Sequence, residues 1–233
     1  MVRYLISPSL LDSFAFYKNS DPDRSLEGYN EFLRVLSRER SEPNEAMQRG
    51  IDFEYLVEKT CNWENIDWAS LLAQKSEKLK SLDIEGANIS KARSFVDKNK
   101  KLINCIEEVG SIVSGGIWQY PVKKEITINN IDFLLYGRTD VIKEDRIYDI
   151  KRVSKYKIGK YQKSLQYAIY LYCSNFKNFS YLICDGNSVY KEDYTDYNCK
   201  DYIISAISDF IDCISGDEIA SKTFYSNWVA RSK

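Results

Sequence analysis

At Ile117 the spacing of apolar residues changes from helical to alternating, and this change constrains the fold more than any other feature of the chain. Upstream, Ser7 followed by Pro8 has the form of a helix N-cap with proline at the first helical position, and Leu10, Leu11, Phe14 and Tyr17 supply a short apolar face. Residues 19–30 read as a loop, 44–60 as a helix despite Gly50, and 67–82 and 88–109 as two further helices. Downstream, "IWQYPVKKEITI", "IDFLLYGRTDVI" and "RIYDIKRV" read as consecutive strands, with a turn at Asn129-Asn130 and with Pro121 limiting how central the first can be. Residues 161–176 return to helix, two short strands flank Asp185-Gly186-Asn187, and "DYIISAISDFIDCIS" closes the pattern as an amphipathic helix. This order predicts an α/β fold with a mixed central sheet flanked by helices. A single domain over residues 1–233 is expected, with a helical N-terminal elaboration over 1–116 and a core over 117–215.

At 233 residues the chain can bury a substantial core. Its formal net charge of -1 argues against a protein that coats DNA by bulk charge, although local basic patches can still steer a polyanion. The six cysteines include no C-x-x-C pair and have no zinc or iron–sulfur spacing, which points to reduced thiols in a cytoplasmic protein. The opening residues are unlike a signal peptide and no run is apolar for long enough to span a bilayer, so no membrane partner is expected. Histidine is absent, which removes histidine-based triads and zinc–histidine sites. Acid, base and metal chemistry therefore falls to carboxylates, lysine, tyrosine or cysteine.

Two of these residue types meet in "YGRTDVIKEDRIYDIKR", residues 136–152. With Glu144-Asp145 as a two-residue turn, Ile142 faces Ile147, Asp140 faces Asp149 and Arg138 faces Lys151. Alternation puts Asp149 and Lys151 on one face of their strand. Opposed like charges destabilise a bare sheet by roughly 0.2–1 kcal/mol. A divalent cation between them reverses that sign. Hard oxygen ligands suit Mg²⁺ or Mn²⁺, and a nearby lysine can align an attacking water or meet charge on a phosphate. The bland alternative is a solvated surface hairpin whose acids pair with Arg138 and Lys151.

This stretch resembles the core of the PD-(D/E)XK nuclease superfamily, in particular its RecB-like and phage exonuclease branches. The resemblance implies a restriction-endonuclease-like core and hydrolysis of DNA phosphodiesters by a metal-activated water. Asp140, Asp149 and the backbone carbonyl of Ile150 would then be metal ligands, with Lys151 catalytic. Thr139 stands where many members carry alanine or a bulkier apolar residue. The RecB-like branch also has a helical glutamine and tyrosine four residues apart. Gln166 and Tyr170 match them, with Lys163 one turn earlier. A glycine followed four residues later by a metal-binding histidine or glutamate is matched by Gly50 and Glu54. Without the resemblance, Tyr170 reads as part of a core stripe with Leu165 and Ile169, and Gly50 as a tolerated helix interruption. Members with an iron–sulfur cluster place cysteines differently, so none is expected here.

From Lys151 to Lys163 the chain carries Lys151, Arg152, Lys155, Lys157, Lys160 and Lys163, no acid, and the interleaved Tyr156 and Tyr161. Together with Arg138 this run suits a nucleic-acid backbone, against the alternative of a solvated charge run. "GSIVSGG" lacks the lysine and serine or threonine of a phosphate-binding loop, so no ATP is expected, while a separate helicase or single-strand-annealing partner is compatible with the rest. The sequence thus reads as a Mg²⁺- or Mn²⁺-dependent DNA exonuclease of repair, recombination or phage and mobile-element DNA processing. Two alternatives stay open: a structure- or site-specific endonuclease of the same superfamily, and a non-catalytic nucleic-acid-binding module on the same fold.

Overall fold

The structure, a computed structural model, describes residues 2–21, 23, 25–82 and 88–230. Its α/β architecture contains two mixed sheets. The smaller has the order β1-β4-β3, built from Arg3–Ile6 (β1), Pro121–Ile128 (β3) and Ile131–Arg138 (β4), with β1 parallel to β4 and β3 antiparallel to it. The larger has the order β2-β5-β6-β7-β8, built from Ile117–Trp118 (β2), Val141–Lys143 (β5), Arg146–Arg152 (β6), Asn178–Cys184 (β7) and Val189–Thr195 (β8). Only β6 and β7 run parallel in it.

The expected single central sheet is therefore two, and one hairpin joins them. Ile117 pairs with Ile142 and Trp118 with Val141 in the larger sheet, and Pro121 pairs with Arg138 in the smaller. The register is the same on both sides of the interruption, so no residue is inserted. Between them the hairpin bends, with Gln119 in the left-handed region at φ 54. The Gln119 N–H donates to the Asp140 carbonyl at 2.8 Å, and the Thr139 N–H to the Tyr120 carbonyl at 3.0 Å. Strands that switch sheets make corners of this kind. Proline as the first residue of β3 is compatible with it, because a strand start is one of the few places in a sheet where proline is tolerated.

Helices cover both faces of the larger sheet. One hydrophobic cluster joins Phe53, Leu56 and Val57 of Glu45–Thr60 (α3), Leu71 and Leu72 of Trp68–Lys75 (α4), Ala92 of Ile89–Lys98 (α5) and Ile106 and Val109 of Lys100–Val113 (α6) to Val141, Ile150 and Leu182. The other joins the opposite sheet face, including Ile147, Phe179 and Tyr181, to the smaller sheet and to Pro8–Lys18 (α1), Ser25–Leu36 (α2), Gln166–Cys173 (α7), Cys199–Ser215 (α8) and Glu218–Asn227 (α9). Along β6, alternation sends Ile147 and Ile150 to different clusters.

Several expectations need correction. The span 88–109 is two helices divided at Asn99, whose side-chain amide and backbone N–H both donate to the Phe95 carbonyl and end α5 there. Much of the expected loop 19–30 belongs to α2, and its residues 22 and 24 lie outside the described residues. Residues 1–116 are not purely helical, since β1 completes the smaller sheet. Residues beyond 215 add α9, with Phe224 and Trp228 buried in the core. The span 161–176 is helical only over α7, so Lys163 lies before the helix rather than one turn earlier on its face.

Candidate active site

Of the three facing pairs expected in the hairpin one is present: Ile142 pairs with Ile147 across a turn in which Glu144 adopts φ 55. The ladder between β5 and β6 begins at Val141 and Tyr148, so Asp140 sits one residue outside it, at the corner between the sheets. Arg138 does not face Lys151, because its backbone partner is Pro121 in the other sheet. From the corner the Asp140 carboxylate reaches back to β6, where its Oδ2 accepts the Ile150 N–H at 2.7 Å. The Ile150 side chain is buried in the α3–α6 cluster, so this residue meets the site through its backbone.

Asp149 is fully buried. Its Oδ1 accepts from Gln166 Nε2 at 2.6 Å, and its Oδ2 lies 2.6 Å from Lys151 Nζ. That second contact is a buried ion pair, short enough for a charge-assisted hydrogen bond. Gln166 Nε2 also donates to Tyr170 Oη at 3.3 Å, and the Tyr170 hydroxyl donates to the Arg138 carbonyl at 2.7 Å. The glutamine and tyrosine thus share a helical face as their spacing predicts. Gly137 makes room for that ring, since a Cβ there would lie 2.4 Å from Tyr170 Cε1. Tyr170 is at the same time a buried core residue, so the two readings of it coexist.

Glu54 approaches from α3 and accepts from Gln119 Nε2 at 2.7 Å. Gly50, one turn earlier, has open space where a Cβ would be, so no close approach requires it. Burial is the largest influence on all three carboxyl groups and raises each above the usual carboxylate range. At Asp140, which is raised well above it, the charges of Asp149 and Glu54 push the same way. At Glu54 the charge of Asp149 adds to burial. Burial lowers the affinity of Lys151 for its proton, but Asp149 and Asp140 outweigh it, and the ammonium is held above the ordinary lysine range. One cation thus stands among three acids.

A cleft of about 790 Å³ opens beside them, with Lys151, Gln166, Tyr170 and Arg138 in its wall. Lys123 of β3 and Asp12 of α1 line it too, and neither was singled out in the sequence. Asp12 keeps an exposed edge, yet the enclosing cleft raises its carboxyl affinity for a proton, chiefly by removing water. The sequence carries no signal for it, because α1 reaches the site only through tertiary packing. Arg152 lies elsewhere. Next after Lys151 on β6, it faces the opposite side of the sheet and donates to the carbonyls of Val153 and Cys184. Lys155, Lys157, Lys160 and Lys163 are exposed on a loop outside the cleft lining. Glu192 of β8 pins that loop by accepting from Tyr156 Oη at 2.6 Å and from the Gly159 N–H at 3.0 Å.

Hard, acidic oxygen donors are the chemistry Mg²⁺ and Mn²⁺ take, and Asp140, Asp149 and Glu54 are donors of that kind. Among the described residues no three acidic or cysteine side chains converge closely enough to enclose an ion. The donor set therefore fits such a cation in kind, while the single cation Lys151 pairs with Asp149. No helix among the described residues is long and apolar enough to cross a membrane.

No family model matches the sequence, and no curated protein matches it. Among solved structures it is similar to the crystal structure of SSO0001, at 16% identity and a TM-score of 0.41 over 69% of this chain and 85% of that one. Two crystal structures of Scheffersomyces stipitis Rai1, one in complex with (3'-NADP)+ and calcium ion, match at 14% and 15% identity. Each covers 93% of this chain and 76% of the other with a TM-score of 0.26. Likenesses this weak support no inference about fold or function.

Proposed function

We propose that this chain is a metal-dependent deoxyribonuclease, with a restriction-endonuclease-like core similar to the PD-(D/E)XK superfamily, acting as an exonuclease. The observation that carries the reading is the fully buried Asp149, bonded through one oxygen to Gln166 and paired through the other with Lys151, with the acids Asp140 and Glu54 close enough to feel its charge. Clustered buried acids are costly, and such groups gather at sites that do chemistry. Asp140, Asp149, Glu54 and the Ile150 carbonyl would hold Mg²⁺ or Mn²⁺, which supplies a nucleophilic water at neutral pH and charge stabilisation at the phosphate. Lys151 keeps its proton, so it serves as a fixed positive charge toward the attacked phosphate rather than as a base. Gln166 holds Asp149 in place, and Tyr170 ties the strand carrying Arg138 to α7.

The cleft supports a strand end over a continuous duplex. Its volume is in the range of about 300–1,000 Å³ that encloses one small molecule. Lys123 and Arg138 offer charge to the backbone of one strand. The loop lysines 155, 157, 160 and 163 would serve only DNA lying outside the cleft. Linear, nicked and covalently closed DNA incubated with Mn²⁺ or Mg²⁺ test the proposal. Linear DNA should be degraded to short products while closed circles resist. Equal cutting of nick-free circles would replace the exonuclease with an endonuclease, and binding without cutting of any form would leave a nucleic-acid-binding module.

A further inference from the structure

We propose that Gln119 is a positioning residue that holds Glu54 and Asp140 together for the divalent cation. The inference rests on the metal-dependent reading above and concerns a residue to which the sequence gives no role. Gln119 stands at the corner where the long hairpin leaves one sheet for the other, flanked by Trp118 of β2 and by Tyr120, which precedes β3. Its backbone N–H donates to the carbonyl of Asp140 at 2.8 Å, and its side-chain amide donates to Glu54 Oε1 at 2.7 Å. One residue thus grips the main chain of the first carboxylate and the side chain of another, on elements far apart in sequence. No other residue among the hydrogen bonds described above bridges these two.

The backbone conformation strengthens the assignment. At φ 54 an L-residue is strained, and glycine or asparagine would occupy the position more easily. The corner requires this conformation, and with it the Gln119 amide reaches Glu54. Its side chain is also exposed, so it is not retained for core packing. The length matters as well: asparagine would suit the backbone but stops one methylene short of Glu54.

Replacement by glycine separates the two grips. Q119G keeps the N–H that binds Asp140, relieves the backbone strain and removes only the amide that binds Glu54. Q119M retains side-chain length without a donor and guards against a fold-specific failure of the glycine variant. Mn²⁺ binding is measured by calorimetry on the full chain without DNA, together with the melting temperature. Loss of a group that orients a metal ligand weakens metal affinity by about 10–100-fold. We expect both variants to lose Mn²⁺ affinity by at least about 10-fold on that scale, with the melting temperature of Q119G retained. In an E54Q background the Q119G change should add nothing, because the two act as one unit. Mn²⁺ affinity within twofold of the parent in both variants, with D149N losing it, would overturn the role of Gln119 and leave the site standing. A parent chain that binds no Mn²⁺ would overturn the site and this inference together. A lowered melting temperature with parental Mn²⁺ affinity would assign Gln119 to the fold alone.

Discussion

Asp52 and Asp149 are both buried aspartates, at 1% and 0% exposure, and they are held by different kinds of partner. Asp52 of α3 has every oxygen occupied. Gln48 Nε2 donates to its Oδ1 at 2.7 Å, and the Ser81 N–H and hydroxyl both donate to its Oδ2 at 2.6 Å. It is a clasp between α3 and the segment after α4, and nothing about it is left over. Asp149 has one oxygen bonded to Gln166 and the other paired with the Lys151 ammonium at 2.6 Å. Burial alone therefore does not tell the two apart: Asp149 has a charged partner and acidic neighbours, where the donors to Asp52 are neutral.

Four outcomes would sharpen or break this contrast, beginning with the largest. D149N and K151A should each lower single-turnover DNA cleavage by ~10²-fold or more, the scale of electrostatic and acid–base contributions, while both retain a cooperative melt and K151A retains DNA binding. Cleavage by K151A within a factor of three of the parent would remove the lysine from the reaction. Mn²⁺ should raise the melting temperature in a saturable way, corresponding to about 2.7 kcal/mol at a hundredfold excess over its dissociation constant. D149N should abolish that rise and D52N should keep it. An equal response in the two variants would dissolve the distinction.

D52N should do the reverse of D149N. Disturbing a satisfied buried carboxylate costs ~1–3 kcal/mol, which for a chain of this length lowers the melting temperature by about 2–4 °C per kcal/mol. Cleavage at low temperature should stay near the parent's, and a large loss would mean that α3 is held in place for the site by Asp52. The smallest effect belongs to Y170F. It removes one hydrogen bond to the Arg138 carbonyl and should cost ~0.5–1.5 kcal/mol of stability, with a modest fall in cleavage measurable against K151A.

What was legible in the sequence follows from the range of each interaction. The β5–β6 register, the Ser7 cap and the Asn129-Asn130 turn depend on neighbours a few residues apart, and all three hold: Ser7 Oγ accepts the Leu10 N–H, and both asparagines adopt positive φ. Gln166 and Tyr170 were legible through helical spacing. Alternation places Arg152 on the sheet face opposite Lys151, so its inward role was readable and was obscured only by its membership of a basic run. The corner was not legible. The alternation in "IDFLLYGRTDVI" lapses at Gly137-Arg138-Thr139-Asp140, but such a lapse does not separate a turn from a corner, and the backbone of Gln119, opposite it, shows that the hairpin bends without inserting a residue. Nor was β1, a four-residue strand whose place comes from parallel pairing with β4. Asp12 and Lys123 belong to the cleft for the same reason: tertiary packing brings them there, and no local pattern records it.

The parallel pairing of β1 with β4 also bears on the order in which the molecule assembles. Arg3 pairs with Asp132, so this contact closes a loop of more than half the chain. The entropy of closing such a loop must be met before the contact contributes anything, which places it among the slow steps of folding. The hairpin that carries Asp140, Asp149 and Lys151 is local and needs no such closure. The cleft therefore has two origins: Asp149 and Lys151 stand on a local hairpin, while α1, which follows β1 and brings Asp12, is placed through a pairing of residues far apart in the chain.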